Sequence, residues 1–325
     1  MKLLINDKRV DINKMSSFGQ TPFHIACEKG YIEVVKLLLN DQRVGVNKAD
    51  HDDWTPLYIA CLNERIETVK LLLNNNRVDP NYADNDHQTP FYLACGNGLQ
   101  EVVKIMLNDK RVDVNKASNF SNQTPFFIAC FFGHIETVKL LLKDERIDVN
   151  KENKYSLSPL YIVCDKGYTE IVKLFLNDNR VDINKENKYG NTPFYIACYY
   201  GDIKVIGYIL ASEREINLMT RNKQGESPID VVREEGKRVK FFRESEEIFQ
   251  KRKENCAKII ELLESFQNNP HETRIKLRMQ LGLSGNFFQK KKKDYFLFFF
   301  EIQCFFFFFL LIFNIKMLVL LLFLQ

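Results

Sequence analysis

Apolar and polar positions alternate in long cycles along most of the chain. Residues 124–157, TPFFIACFFGHIETVKLLLKDERIDVNKENKYSL, show one cycle in full. Phe126, Ile128, Ala129 and Cys130 crowd one side of a short helical stretch, and Gly133 supplies a positive-φ stop. Ile135, Val138, Leu141 and Leu142 then recur at spacings of three and four, with Lys139 and Lys143 on the opposite side. Thr124 is an N-cap type, and Pro125 suits the first helical position, where its missing N–H costs nothing. The polar stretch DERIDVN leads into a short extended piece, and NKENKYSL turns back. The cycle predicts a helix, a tight turn, a second helix and a projecting hairpin.

The cycle repeats. TPFHIAC, TPLYIAC, TPFYLAC, TPFFIAC, SPLYIVC and TPFYIAC begin at Thr21, Thr55, Thr89, Thr124, Ser158 and Thr192, and a weaker SPIDVV begins at Ser227. The prolines stand at 22, 56, 90, 125, 159, 193 and 228, with spacings of 34, 34, 35, 34, 34 and 35. A fixed period in this range marks an array of stacked units, each touching only its neighbours.

These motifs resemble the ankyrin repeat: TPFxIAC, GHIETVKLLL and DVN answer to its Thr-Pro-Leu-His-x-Ala-Ala, Gly-His-x-x-Val-Val-x-Leu-Leu-Leu and Asp-Val-Asn. The NDxRVDVNK wording is similar to that of large ankyrin-repeat families in some protist genomes. The resemblance implies an all-α solenoid of stacked helix-turn-helix units with short projecting β-hairpins. It also implies a non-catalytic scaffold that recognises partner proteins on its concave face. The extra length over a 33-residue unit lies mostly in the DERID-type loop. Three residues before each proline stand Gly19, Asp53, His87, Asn122, Ser156, Gly190 and Gly225, where the turn calls for a left-handed backbone. Glu64 interrupts the inter-helix glycines Gly30, Gly98, Gly133, Gly167 and Gly201, so a strained or frayed turn is expected there.

Charge adds little to a partner search. Residues 1–230 hold 29 Lys+Arg against 31 Asp+Glu, a net of −2, while the remainder holds 17 against 11, a net of +6. The array is therefore no general polyanion binder, and no nucleic acid is expected as partner. Arg9, Arg43, Arg77, Arg111, Arg146, Arg180 and Arg214 recur once per unit. Asp11, Asp79, Asp113, Asp148 and Asp182 stand two residues after five of them, so mutual neutralisation is expected. Cys27, Cys61, Cys95, Cys130, Cys164 and Cys198 each follow a repeat proline by five residues. Equivalent helices in a stack lie about 8–10 Å apart, too far for disulfides, so buried thiols in a reducing, cytoplasmic compartment are expected.

Catalytic patterns are missing: no phosphate-cradling glycine loop, no His-Glu-x-x-His and no Cys-x-x-Cys occur. Neither an enzyme activity, nor a cofactor, nor a metal is expected. His24 and His134 fall at structural positions of the motif, whereas His51 and His87 lie in hairpins beside Asp50, Asp52, Asp53, Asp84 and Asp86, a weak cation candidate. The stronger candidates are aromatic. Six and seven residues after their prolines stand Phe131-Phe132, Asp165-Lys166 and Tyr199-Tyr200, at the end of the first helix. The motif demands no aromatics there, and accessible aromatics are the type found at binding hot spots. A partner groove on Phe131, Phe132, Tyr199 and Tyr200, bordered by Lys166, is one reading; packing against neighbouring hairpins is the other.

The array spans 1–236, with a partial unit over 1–20 whose Leu3, Leu4 and Ile5 look like the end of a second helix, so either the chain is a piece of a longer array or its first turn frays. A charged, helical insert over 237–254 follows. Residues 255–289 supply the last helix of the array, with CAKIIELLESF at 256–266, and a C-terminal helix ended by Gly282 or Gly285. Then composition breaks: thirteen of the 27 phenylalanines lie in the last 39 residues, so 290–325 must be read apart from the array. Lys290–Lys293 precede a largely apolar 302–324, long enough to cross a bilayer despite Asn314 and Lys316. This tail is either a membrane anchor, with the repeats on the cytosolic side, or translated non-coding sequence, since A-rich and T-rich DNA encodes Lys and Phe runs. The chain is expected to be a monomer.

Overall fold

The computed structural model describes residues 9–238 and 245–283, together with Asp7. Leu3, Leu4, Ile5, Val239, Phe242, Gly285, Lys290–Lys293 and 302–324 lie outside the described residues. Two compact units are delimited, residues 1–265 and 266–325.

In the first unit the two bursts of each cycle become two short helices. They are α1 (Pro22–Lys29) and α2 (Ile32–Leu39), α3 (Pro56–Leu62) and α4 (Ile66–Leu73), and α5 (Pro90–Gly96) and α6 (Gln100–Asn108). Next come α7 (Pro125–Phe132) and α8 (Ile135–Leu142), α9 (Pro159–Asp165) and α10 (Thr169–Leu176), and α11 (Pro193–Tyr200) and α12 (Ile203–Ala211). The last first-helix is α13 (Pro228–Lys237). First helices pack on first helices of adjacent repeats, and second helices on second.

Each first helix starts for the reason its sequence gives. The Thr or Ser hydroxyl accepts the backbone N–H three residues on, at 3.1 Å for Thr124 and Phe127 and 3.1 Å for Ser158 and Tyr161. Such a cap contributes about 1 kcal/mol. At the other end Gly30, Gly133 and Gly201 take the left-handed conformation. Glu64 takes it too, with φ 51°, and the turn does not fray: the Arg65 N–H still donates to Ala60 O at 2.9 Å. The finger positions Asp53, His87, Asn122 and Ser156 are likewise left-handed, with φ between 52° and 59°.

Columns of equivalent side chains form the core. Phe23, Leu57, Phe91, Phe126, Leu160, Phe194 and Ile229, each next to its proline, are buried, and so are Val35, Val69, Val103, Val138, Val172 and Ile206 of the second helices. Burying each such side chain stabilises by about 1.5–3 kcal/mol. The six repeat cysteines sit in this core as buried free thiols, and Cys256 is buried as well. Burial pushes their thiols up from the ordinary value, which makes them inert at neutral pH.

The projecting segments, or fingers, precede the prolines at 22, 56, 90, 125, 159, 193 and 228 and are numbered 1–7 in that order. They are built from turns, and no β-strand occurs among the described residues. Each finger closes on one backbone bond across its neck, such as Asp50 N–H to Trp54 O at 3.0 Å and Asn187 N–H to Asn191 O at 3.0 Å. Adjacent fingers share at most single backbone–backbone bonds, such as Lys154 N–H to Ser121 O at 2.9 Å. One bond per finger is too few for a strand ladder.

Beyond the array, α14 (Glu246–Asn268) runs unbroken through the second half of the charged segment and the stretch 256–266. In the second unit α15 (Pro270–Gln280) starts from Asn269, whose side chain accepts the Glu272 N–H at 3.2 Å. Its turn ends at Gly282, with φ 68°.

Candidate functional site

Three consecutive first helices, α7, α9 and α11, carry the candidate residues at their C-terminal ends. Phe131 is half-buried and Phe132 is 55% exposed, their rings edge-on with centroids 5.2 Å apart. Tyr199 and Tyr200 repeat the arrangement at 5.1 Å, with Tyr200 59% exposed. Between them lies the pair from α9. Lys166 Nζ stands 5.2 Å from the centre of the Phe131 ring, a cation–π contact, and 3.8 Å from the Asp165 carboxylate. Asp165 also acts on Tyr200: partial burial first, then the Asp165 charge, raises its phenol above the ordinary value. The phenylalanine pair and the tyrosine pair are therefore joined through Asp165 and Lys166. The surface is aromatic, with one lysine and one carboxylate that already satisfy each other in part.

The alternative cation candidates do not assemble. His51 and His87 are exposed at different finger tips, and no group of three or more His, Cys, Asp or Glu able to hold a metal occurs among the described residues. His24 and His134 bind backbone. His24 Nδ1 accepts the Thr21 N–H at 3.1 Å, so Nε2 carries the proton and donates to Trp54 O at 3.0 Å; His134 Nε2 lies 2.8 Å from Gly96 O.

The arginine row is structural, but by a route the sequence reading missed. In five of the seven, Arg9, Arg43, Arg111, Arg146 and Arg180, the neutralising carboxylate stands two residues before the arginine, not two after; Asn75 and Ser212 take that place before Arg77 and Arg214. Asp109 holds Arg111, Asp144 holds Arg146 and Asp178 holds Arg180, each at 2.6 Å. The hydrogen bond from arginine holds each of these carboxyls below the usual range. Held in this way, the guanidinium reaches back to carbonyls at the end of the preceding repeat's second helix: Arg180 Nη2 donates to Leu142 O at 2.7 Å and Arg146 Nη2 to Leu107 O at 2.8 Å. These are carbonyls a helix end leaves without a partner. The Asp two residues after instead accepts the N–H of the next asparagine, as Asp148 does from Asn150 at 3.0 Å.

That asparagine spans the junction. Asn115 Nδ2 donates to Arg146 O at 2.7 Å while its Oδ1 accepts the Asp148 N–H at 2.8 Å, so one side-chain amide pairs with both sides of a backbone segment in the next repeat. Asn47, Asn81 and Asn150 do the same, with donors and acceptors at 2.7–2.8 Å.

These features, stacked helix pairs with Thr-Pro caps, left-handed turns and projecting fingers, repeat at the interval found in one family. The family model described as ankyrin repeats (3 copies) matches residues 1–84, 76–153 and 145–222. The chain belongs to the ankyrin repeat family. Ankyrin repeat domains are also what it resembles among solved structures. That of Bcl-3, described as a unique member of the IkappaB protein family, is 23% identical with a TM-score of 0.61, over 66% of this chain and 94% of that one. The human ASB11 ankyrin repeat domain is 25% identical with a TM-score of 0.54, over 73% and 98%. The ankyrin repeat protein EF0377 is 26% identical with a TM-score of 0.54, over 60% and 98%. A search of curated protein sequences finds no match. Ankyrin repeats are in general protein-interaction modules, typically without catalytic activity.

The finger tips were missed as surface. Phe18, Phe120, Tyr155 and Tyr189 project from fingers 1, 4, 5 and 6, with Phe120 80% exposed. The signal was in the sequence: each stands four or five residues before its proline. Finger 4 also contains the extra residue of the 35-residue spacing, since its neck bond runs from Ser118 N–H to Gln123 O and spans one residue more than in the other fingers.

Proposed function

We propose that this ankyrin array is a non-catalytic scaffold that binds a partner protein at Phe131, Phe132, Lys166, Tyr199 and Tyr200. One observation supports this above the rest: two edge-on aromatic pairs, each with an exposed ring, lie on the first helices of nearby repeats and are joined by Asp165 and Lys166. Exposed aromatic anchors on a preformed surface bind with little ordering cost. The second helices present the opposite character. Glu136–Lys139 at 2.5 Å and Glu170–Lys173 at 2.6 Å neutralise themselves along that face.

The test is capture of partner from lysate by tagged chain, run beside thermal melting, for wild type and for Phe131→Ser with Phe132→Ser. Loss of capture with an unchanged Tm supports the site. A large fall in Tm assigns the rings to packing instead. The apolar stretch 302–324 favours a second reading, a membrane-tethered scaffold with the array on the cytosolic side. Fractionation with and without 290–325 tests it: equal distribution of the two chains rules the tether out.

A further inference from the structure

We propose that two copies of this chain pair antiparallel through their finger tips, about a two-fold axis at finger 4. The tips change character along the array. Fingers 2 and 3 carry Asp52, Asp53 and Asp86; finger 4 carries Phe120; fingers 5, 6 and 7 carry Lys154, Lys188 and Lys223; finger 1 carries Phe18. Asp52, Asp86, Phe120 and the three lysines are exposed, and none of these charges forms an ion pair within its own molecule among the described residues. Two of the lysines are instead held by rings: Lys154 Nζ stands 4.1 Å from the centre of Phe120 and 5.1 Å from that of Tyr155, and Lys188 Nζ 4.9 Å from that of Tyr189.

The order is self-complementary. Rotation about finger 4 sets finger 3 against finger 5, finger 2 against finger 6 and finger 1 against finger 7. Asp86 then meets Lys154, Asp52 meets Lys188, and Phe18 meets Lys223, while Phe120 meets its own copy. Both rows have the same period because both are the same chain, so every tooth stays in register. Two-fold pairing of one patch with itself is the commonest symmetry of soluble oligomers. The parallel arrangement would set lysine against lysine and aspartate against aspartate, so charge also fixes the direction. The extra residue of finger 4 pushes Phe120 out at the axis, where a short apolar contact excludes water from the flanking charges. Contact confined to tips belongs to the small, weak class of interface. The chain is therefore monomeric when dilute and pairs when concentrated. This pairing leaves the Phe131–Tyr200 surface to its partner and does not depend on the reading of that surface.

The test uses the full chain with Cys304→Ser and one new cysteine, oxidised at about 100 µM and read on a non-reducing gel. Phe120→Cys is expected to form a covalent dimer at least about fivefold above Glu136→Cys on the second-helix face. Asp86→Cys and Lys154→Cys are expected to cross-link when mixed and not singly. Reversal by Lys154→Glu with Lys188→Glu is expected to remove the Phe120→Cys dimer, and adding Asp52→Lys with Asp86→Lys to restore it. Equal yields from Phe120→Cys and Glu136→Cys overturn the proposal. So does a dimer indifferent to charge reversal, or a reversed pair that fails to recover.

Discussion

Replacing Asn115 with alanine removes both hydrogen bonds that its amide makes across the junction between the third and fourth repeats, at 2.7 Å to Arg146 O and 2.8 Å from the Asp148 N–H. Its own N–H keeps its bond to Asp113 Oδ1 at 3.1 Å, so the local turn survives. Each lost bond is worth about 1 kcal/mol. Asp148 is exposed and water can replace one partner, so the total is about 1.5–2 kcal/mol. In a one-dimensional array this falls on one coupling between neighbours, so urea unfolding followed by circular dichroism should lose midpoint and also broaden. Asn115→Asp keeps the acceptor for Asp148 but sets a charge against the Arg146 carbonyl, and should cost at least as much. The same change at Asn13, which bonds Arg43 O at 2.7 Å and the Gly45 N–H at 2.8 Å near the start of the array, should cost less, because only a terminal segment is uncoupled. A loss under about 0.5 kcal/mol for Asn115→Ala, with the transition as sharp as before, would refute the assignment of junction coupling to these amides.

Thr137 Oγ1 is buried without a hydrogen-bond partner, where other repeats place Val102, Ile171 and Val205. Thr137→Val should therefore raise stability by about 1 kcal/mol, about 2–4 °C in Tm by calorimetry; a fall would contradict the reading. His24 titrates below 6.5, chiefly through burial, against the opposing pull of its bond to Trp54 and the Asp50 carboxylate. A depressed histidine is neutral in the fold, so the unfolded chain takes up the proton first, and stability is lost as pH falls below about 6.5. His24→Tyr, the residue present at Tyr58, Tyr92, Tyr161 and Tyr195, should flatten that part of the pH–stability curve; an unchanged slope would count against it.

Much of this was legible in the residues. Thr-Pro pairs, inter-helix glycines and the three-four spacing of Val138, Leu141 and Leu142 are local signals, and local physics places them. Asp53, His87, Asn122 and Ser156 could be assigned a left-handed backbone because the turn requires one whatever its side chain. The hairpin reading needed correction because an extended pattern in NKENKYSL does not reveal that each finger closes on a single backbone bond. The partner of each arginine was misjudged for a related reason. Asp144 and Asp148 are equally near Arg146 in sequence, and only the turn decides that one faces the guanidinium while the other caps Asn150. The aromatic pairs of the candidate site were visible by their departure from the motif, but their link through Asp165 and Lys166 depends on stacking between repeats, which no single repeat encodes.

The most direct test of the docking surface is photocross-linking. Benzoylphenylalanine replaces Phe132 or Tyr200 on the first-helix face, or Glu33 or Glu136 on the second-helix face, in otherwise unaltered chain. The account predicts a partner adduct from positions 132 and 200 and none from 33 and 136. Adducts from 33 and 136 alone would contradict it.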